Sequence, residues 1–187
     1  MRPKSMAHIP APSDPVYDPH FAAIGRLVDA WAQLEFHIDY AIWQLANVEQ
    51  SFGACITSQL IGVNNRLRAL RSLLSLRGAS QATIKEVGKF ANSLGDLQQK
   101  RHRAAHDPRM IHKDTGIMDR LEITADNKLV FGFQPENIDS LVDARAKIAA
   151  KVAEFRTLFA RFADELNALP ASSQPTLRRI ISLPRRD

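Results

Sequence analysis

One cysteine, Cys55, in 187 residues excludes an internal disulfide and suits a reducing compartment. Its apolar setting, "FGACITSQL", carries no activating pattern and reads as a buried structural thiol. No apolar run approaches the roughly 18 residues of a membrane-spanning helix. The first twenty residues, "MRPKSMAHIPAPSDPVYDPH", lack the apolar core of a secretory signal, so a cytoplasmic protein is expected. There are no internal repeats. Acidic residues are the scarcer sign of charge, 20 Asp+Glu against 25 Lys+Arg, for a net charge of +5. That balance favours anionic partners weakly and does not by itself establish nucleic-acid binding. Hydrophobic content of 45% is ordinary for one globular domain.

Residues 1–19 hold five prolines (Pro3, Pro10, Pro12, Pro15 and Pro19), a density that predicts an extended arm. Asp18 followed by Pro19 has the form of a helix start. From there to about Val48 the apolar residues Ile24, Leu27, Val28, Trp31, Leu34, Ile38, Ile42 and Leu45 trace one helical stripe. Phe36, Tyr40 and Trp43 lie off that stripe, so this helix is expected to be covered on more than one side, by its own core or by a second copy. Shorter helices are expected over about Gly53–Leu60 and Asn64–Leu76, with Arg66, Arg68 and Arg71 on a solvated face. "SQATIKEVGKFANSLGDLQQKRHRAAH" reads as one further helix with Ser80 as its N-cap. After Pro108 the period changes. Leu121 and Ile123 alternate, as do Leu129, Phe131 and Phe133, and "ADNK" between them marks a hairpin within about residues 109–133. The helical period then returns through Ile138, Leu141, Ile148, Val152, Phe155, Phe159, Phe162, Leu166 and Leu169. Residues 170–187, with Arg178, Arg179, Arg185 and Arg186, form a basic tail. The expected class is therefore mainly α: a four- to five-helix bundle over residues 20–169, with a small β-hairpin before the last long helix.

The chemistry concentrates in "QKRHRAAHDP", where three basic side chains and two histidines fall between Lys100 and His106 at a helix end. Arg101 continues the apolar stripe seven residues after Leu94. A cation aimed at the core needs an anion, because burying an isolated charge is costly. Glu35, on the buried stripe of the first helix, is one candidate and a ligand phosphate is the other. Pro108 biases Asp107 away from helix, which places His106 at the C-terminal end, where the helix dipole favours an imidazolium. On an ideal helix Arg101 and His106 lie about 140° apart. Either the helix break turns His106, or the two serve a cleft between subunits. His102 and His106, four apart, share a face, but no Glu or Cys at helical spacing completes a metal site, and no metal or other cofactor is expected.

Arg101-His102-Arg103-Ala104-Ala105-His106 resembles the R-φ-x3-H motif of the HEPN superfamily, in which φ is Asn, Asp or His. The segment "IGRLVDAWAQLEFHIDYAIWQL" is similar to the first long helix of bacterial HEPN-like proteins, and the resemblance covers roughly residues 20–169. It implies a homodimeric, metal-independent endoribonuclease acting in toxin, phage-defence or RNA-processing settings, with two motifs lining one cleft. Arg101 and His106 would be catalytic and His102, in the place most often held by Asn, supporting. Lys100, Arg103, Arg109 and Lys113 would contact substrate phosphates, and Glu35 would be a structural partner of the site. The resemblance equally admits a non-catalytic module that binds RNA or a nucleotide phosphate, or that pairs with an antitoxin or a nucleotidyltransferase-like protein.

Overall fold

The computed structural model of the protein describes residues 15–111, 115–125 and 129–169, so the first 14 residues, the tail beyond 169 and Lys113 lie outside the described residues. The fold is mainly α, with a small antiparallel sheet before the last long helix. After a 3-10 turn at Pro15–Tyr17, the helices are α1 (Asp18–Ala46), α2 (Gln50–Thr57), α3 (Gly62–Leu76), α4 (Gln81–Asn92), α5 (Gly95–His106) and α6 (Ile138–Asn167). The strands β1 (Arg109–Ile111), β2 (Met118–Ala125) and β3 (Leu129–Pro135) lie between α5 and α6 in the order β1-β2-β3. No helix among the described residues is long and apolar enough to cross a membrane.

One expectation about the elements needs correction. The single helix predicted over 80–106 is two, α4 and α5, separated at Ser93–Leu94 just before Gly95. The predicted hairpin is present as β2–β3, and the short run after Pro108 extends it by adding β1 to β2 through Arg109↔Arg120, Met110↔Asp119 and Ile111↔Met118.

The chain forms two compact units, each built from two separate stretches. One comprises residues 37–92 and 155 onward. Its core draws Ile38, Ala41, Ile42 and Trp43 from α1, Leu67, Leu70 and Leu74 from α3, Val87 and Phe90 from α4, and Phe155 and Phe162 from α6. The rings of Phe90 and Phe155 pack 5.5 Å apart. Trp43 Nε1 donates to Thr57 Oγ1 at 3.1 Å, and its ring lies on Gly53, where a Cβ would come within 2.4 Å. Only glycine allows α2 that close an approach. α2 buries Gly53 and Thr57 alone, so Cys55, two residues off that face, is exposed and not the buried thiol expected from its apolar neighbours. Arg66 likewise leaves the solvated face assigned to it. It is half-buried and bonds Asp39 at 2.8 Å and the Leu60 carbonyl at 2.7 Å. The N-cap expected at Ser80 is present, its Oγ accepting the Thr83 N–H at 3.2 Å. Glu165 reinforces that cap by accepting from Thr83 and from the Ser80 N–H, and these bonds hold its carboxyl below its ordinary range.

The other unit comprises residues up to Phe36 and 93–154. It buries Leu27, Trp31 and Leu34 of α1, Leu97 and Ala104 of α5, Ile111 and Met118 of the sheet, and Leu141, Ala144 and Ile148 of α6. Its sheet is inverted. β2 and β3 pair Leu121 with Phe133 and Ile123 with Phe131, which sets an apolar row on one face. That row faces outward, with Ile123 56% exposed, Leu129 68% and Phe131 69%. The alternate residues Arg120 and Glu122, each 8% exposed, face inward.

Candidate functional site at the end of α5

Why does β2 bury its charges? Asp107, Arg103 and Glu136 supply the answer. Arg120 forms ion pairs with Asp107 and, at 3.2 Å, with Glu122, while Arg103 reaches Glu122 at 2.9 Å. Arg109 and Arg120 lie directly opposite each other across β1 and β2, an arrangement that repels unless an anion intervenes. Glu136, at the start of the β3–α6 connection, is that anion. Its Oε2 accepts from Arg109 Nε at 2.9 Å and from His20 Nε2 at 3.0 Å, and its Oε1 lies 3.8 Å from Arg120 Nε. Arg109 Nη2 is 2.7 Å from the same carboxylate but off the hydrogen-bond direction, so that contact is purely electrostatic. Burial pushes the Glu136 carboxyl upward. The hydrogen bond from His20 and the Arg109 guanidinium outweigh it, holding the group below its ordinary 4.5.

This network terminates α5. Arg109 Nη1 reaches back over Pro108 to donate to the carbonyls of Arg103 (3.3 Å) and Asp107, at the negative end of the helix. The Asp107 N–H closes the last turn on Arg103 O at 3.0 Å, Asp107 itself is extended, and Leu121 N–H takes the Pro108 carbonyl at 2.9 Å. Three arginines (Arg103, Arg109, Arg120) and three carboxylates (Asp107, Glu122, Glu136) balance within the clamp.

The sequence-derived site residues divide accordingly. His102 and His106 come together as an exposed pair, ring centroids 4.7 Å apart and planes inclined by 47°. Because α5 stays helical through His106, no break turns His106 toward Arg101. Arg101 follows the buried Leu97 by four and precedes the buried Ala104 by three, so it leans toward the core and is half-buried. Its Nε is buried without a hydrogen-bond partner, so Glu35, half-buried on α1 between Trp31 and Ile38, does not take that donor. Lys100 is exposed and lowers the Asp143 carboxyl range slightly, behind the main effect of Lys147. Arg103 and Arg109, expected as phosphate contacts, are engaged by Glu122 and Glu136, and Arg109 is 7% exposed. Lys113 lies outside the described residues.

The clamp residues Asp107, Arg120, Glu122, Glu136 and His20 have no sequence signal of their own. Arg120 and Glu122 alternate with Leu121 and Ile123, the pattern of a solvated face, and His20 and Glu136 are 116 positions apart. Among the described residues, no group of three or more His, Cys, Asp or Glu side chains is arranged to enclose a metal ion. What α5 presents outward is the pair of imidazoles, while Arg101, on the side leaning toward the core, keeps a buried Nε without a hydrogen-bond partner. No protein-family model matches the chain, nor does any curated protein or solved structure.

Proposed function

We propose that the chain is a metal-independent endoribonuclease of HEPN type, acting through Arg101 and His106. The observation that carries the reading is the end of α5. Two exposed imidazoles stand 4.7 Å apart, and on the same helix Arg101 has a buried Nε with no hydrogen-bond partner. Elsewhere around this helix end the arginines are neutralised, so an unused arginine donor is the feature that calls for an anion. A phosphodiester supplies one.

In this reading an imidazole takes the proton of the ribose 2′-OH. The 2′-oxygen then attacks phosphorus, the bond to the 5′-oxygen breaks, and an imidazolium returns a proton to the leaving 5′-oxygen. The products are a 2′,3′-cyclic phosphate and a 5′-hydroxyl. Histidine titrates in the range both transfers need, and the Arg101 guanidinium stabilises charge gathering on the non-bridging oxygens. A homodimer supplies a second His106, so base and acid need not be the same ring. His102 packs on His106 and supports it, and Lys100 adds a salt-sensitive backbone contact.

One observation favours a second reading, a non-catalytic module that grips a nucleotide or RNA phosphate. With Arg103 and Arg109 engaged in ion pairs, the surface near α5 offers fewer cations for following an RNA backbone than the sequence suggests. Cleavage of a fluorescent single-stranded RNA in EDTA, by wild type beside Arg101→Ala and His106→Ala, separates the two. Cutting by wild type alone, with cyclic-phosphate ends and all three proteins folded by circular dichroism, is the expected result. Binding without cutting by wild type would leave the binding module.

A further inference from the structure

We infer that His102 and His106 form a two-imidazole chelate for a borderline transition-metal ion, with Zn(II) as the representative species. The ring geometry carries this. A metal bound to one nitrogen of each ring at about 2.0–2.1 Å lies about 3.2 Å from each ring centroid. Nitrogen–metal–nitrogen angles of about 90–110° then set the centroids about 4.5–5.2 Å apart. The observed separation is 4.7 Å. The centroid separation therefore lies within the range of a chelate, and both rings are exposed on the helix surface, where their side chains are free to adjust.

The surroundings allow a cation despite the basic sequence. The preceding turn brings Gln98 and Gln99 to this face, neither of them charged, and Arg103 is neutralised by Glu122. Both histidines lie in the last turn and a half of α5, where the helix dipole is negative. With two protein ligands, the remaining coordination positions are left to water or to a phosphate oxygen, which makes the site open and exchangeable. The chelate itself does not depend on the ribonuclease reading. One consequence does rest on it: an ion on this pair occupies the nitrogen lone pair that His106 needs as a base, so zinc would be a reversible inhibitor.

The test is titration of Zn(II) into metal-stripped full-length protein against a chromophoric chelator, for wild type, His102→Ala and His106→Ala. Cu(II) electron paramagnetic resonance would count the equatorial nitrogens. Expected are one ion per chain with two nitrogen ligands in wild type, and at least ~10-fold weaker binding in each variant. Losing a ligand should cost no less than the 10–100-fold typical of losing an outer-shell partner. Equal affinity in wild type and both variants would place the ion elsewhere and overturn the inference, as would absence of binding at micromolar zinc. RNA cleavage is read separately. Zinc binding without any ribonuclease activity would overturn the enzyme reading and leave the chelate standing.

Discussion

The two sides of the α5 terminus hold similar residues in opposite states. Inward, Arg103, Asp107, Arg109, Arg120, Glu122 and Glu136 saturate one another, and the helix end is fixed among them. Outward, His102, His106 and Lys100 are exposed, and Arg101 between the two sides keeps a buried donor unused. The difference teaches that a basic cluster in a sequence is not a measure of basic surface. Half of this one is engaged by carboxylates within the fold and the other half is exposed. A rigid helix end is also what a reacting imidazole requires, because loose positioning forfeits much of the benefit of proximity.

Removing the clamp's central anion should have the largest effect. Glu136→Ala leaves Arg109 and Arg120 facing each other without their shared counter-ion, and a broken buried pair costs about 3–5 kcal/mol. Urea denaturation should show that loss. A cost under ~1 kcal/mol would mean that the inward charges are as solvated as the outward ones, and the contrast would collapse.

Acid should reproduce part of the same loss. The folded-state value of Glu136 lies below its ordinary 4.5, so the unfolded chain binds more protons in the window between the two. The stabilisation is present above about pH 4.5 and disappears as pH falls through the depressed value. His37 acts higher up. Burial, then the nearby Arg156, depresses its affinity for protons, so it withdraws stability as pH drops below 6.5. Urea midpoints followed from above pH 6.5 to below pH 4.5 should fall in two stages, and Glu136→Ala should lack the second.

Arg101→Met tests the boundary between the two sides. An unpartnered buried donor costs about 1–3 kcal/mol, so an apolar side chain of similar length should raise the melting temperature, by about 1 kcal/mol in stability. Loss of stability would show that the guanidinium is satisfied by the fold and is not held for a ligand. The smallest effect belongs to the histidines. His102→Ala and His106→Ala should change stability by no more than ~0.5 kcal/mol, as exposed positions do, while abolishing whatever the site does. A large thermal shift in either would move that ring from the acting side to the holding side.

Much of the helical framework was legible because a 3.6-residue period survives in α1, α3 and α6, and Ser80 announces its cap. The division between α4 and α5 was not, since Leu94 and Leu97 keep the stripe in phase across the break at Ser93–Leu94. Strand alternation marked the two strands joined near residues 125–128, but neither their register, Ile123 opposite Phe131, nor which row faces the core could be read from it. Apolar residues ordinarily face inward. Here an ion-pair network takes the inner face, and that depends on partners contributed by α5 and by the turn before α6. The motif residues were readable one by one. Which arginines are engaged was not, because the carboxylates that engage them carry no local mark.

His20 and Glu136 are joined across 116 positions, and this gives the site an order of assembly. During synthesis α5 emerges complete with both histidines before Glu136 exists, and at ~5–20 residues per second the anion follows only after a few seconds. Until then Arg109 lacks its carboxylate partner, while Arg120 already has Asp107 and Glu122 to pair with. A chain interrupted just before Glu136 would carry the whole motif without the anion that Arg109 and His20 share. The His20–Glu136 bond can therefore close only late in the making of the chain.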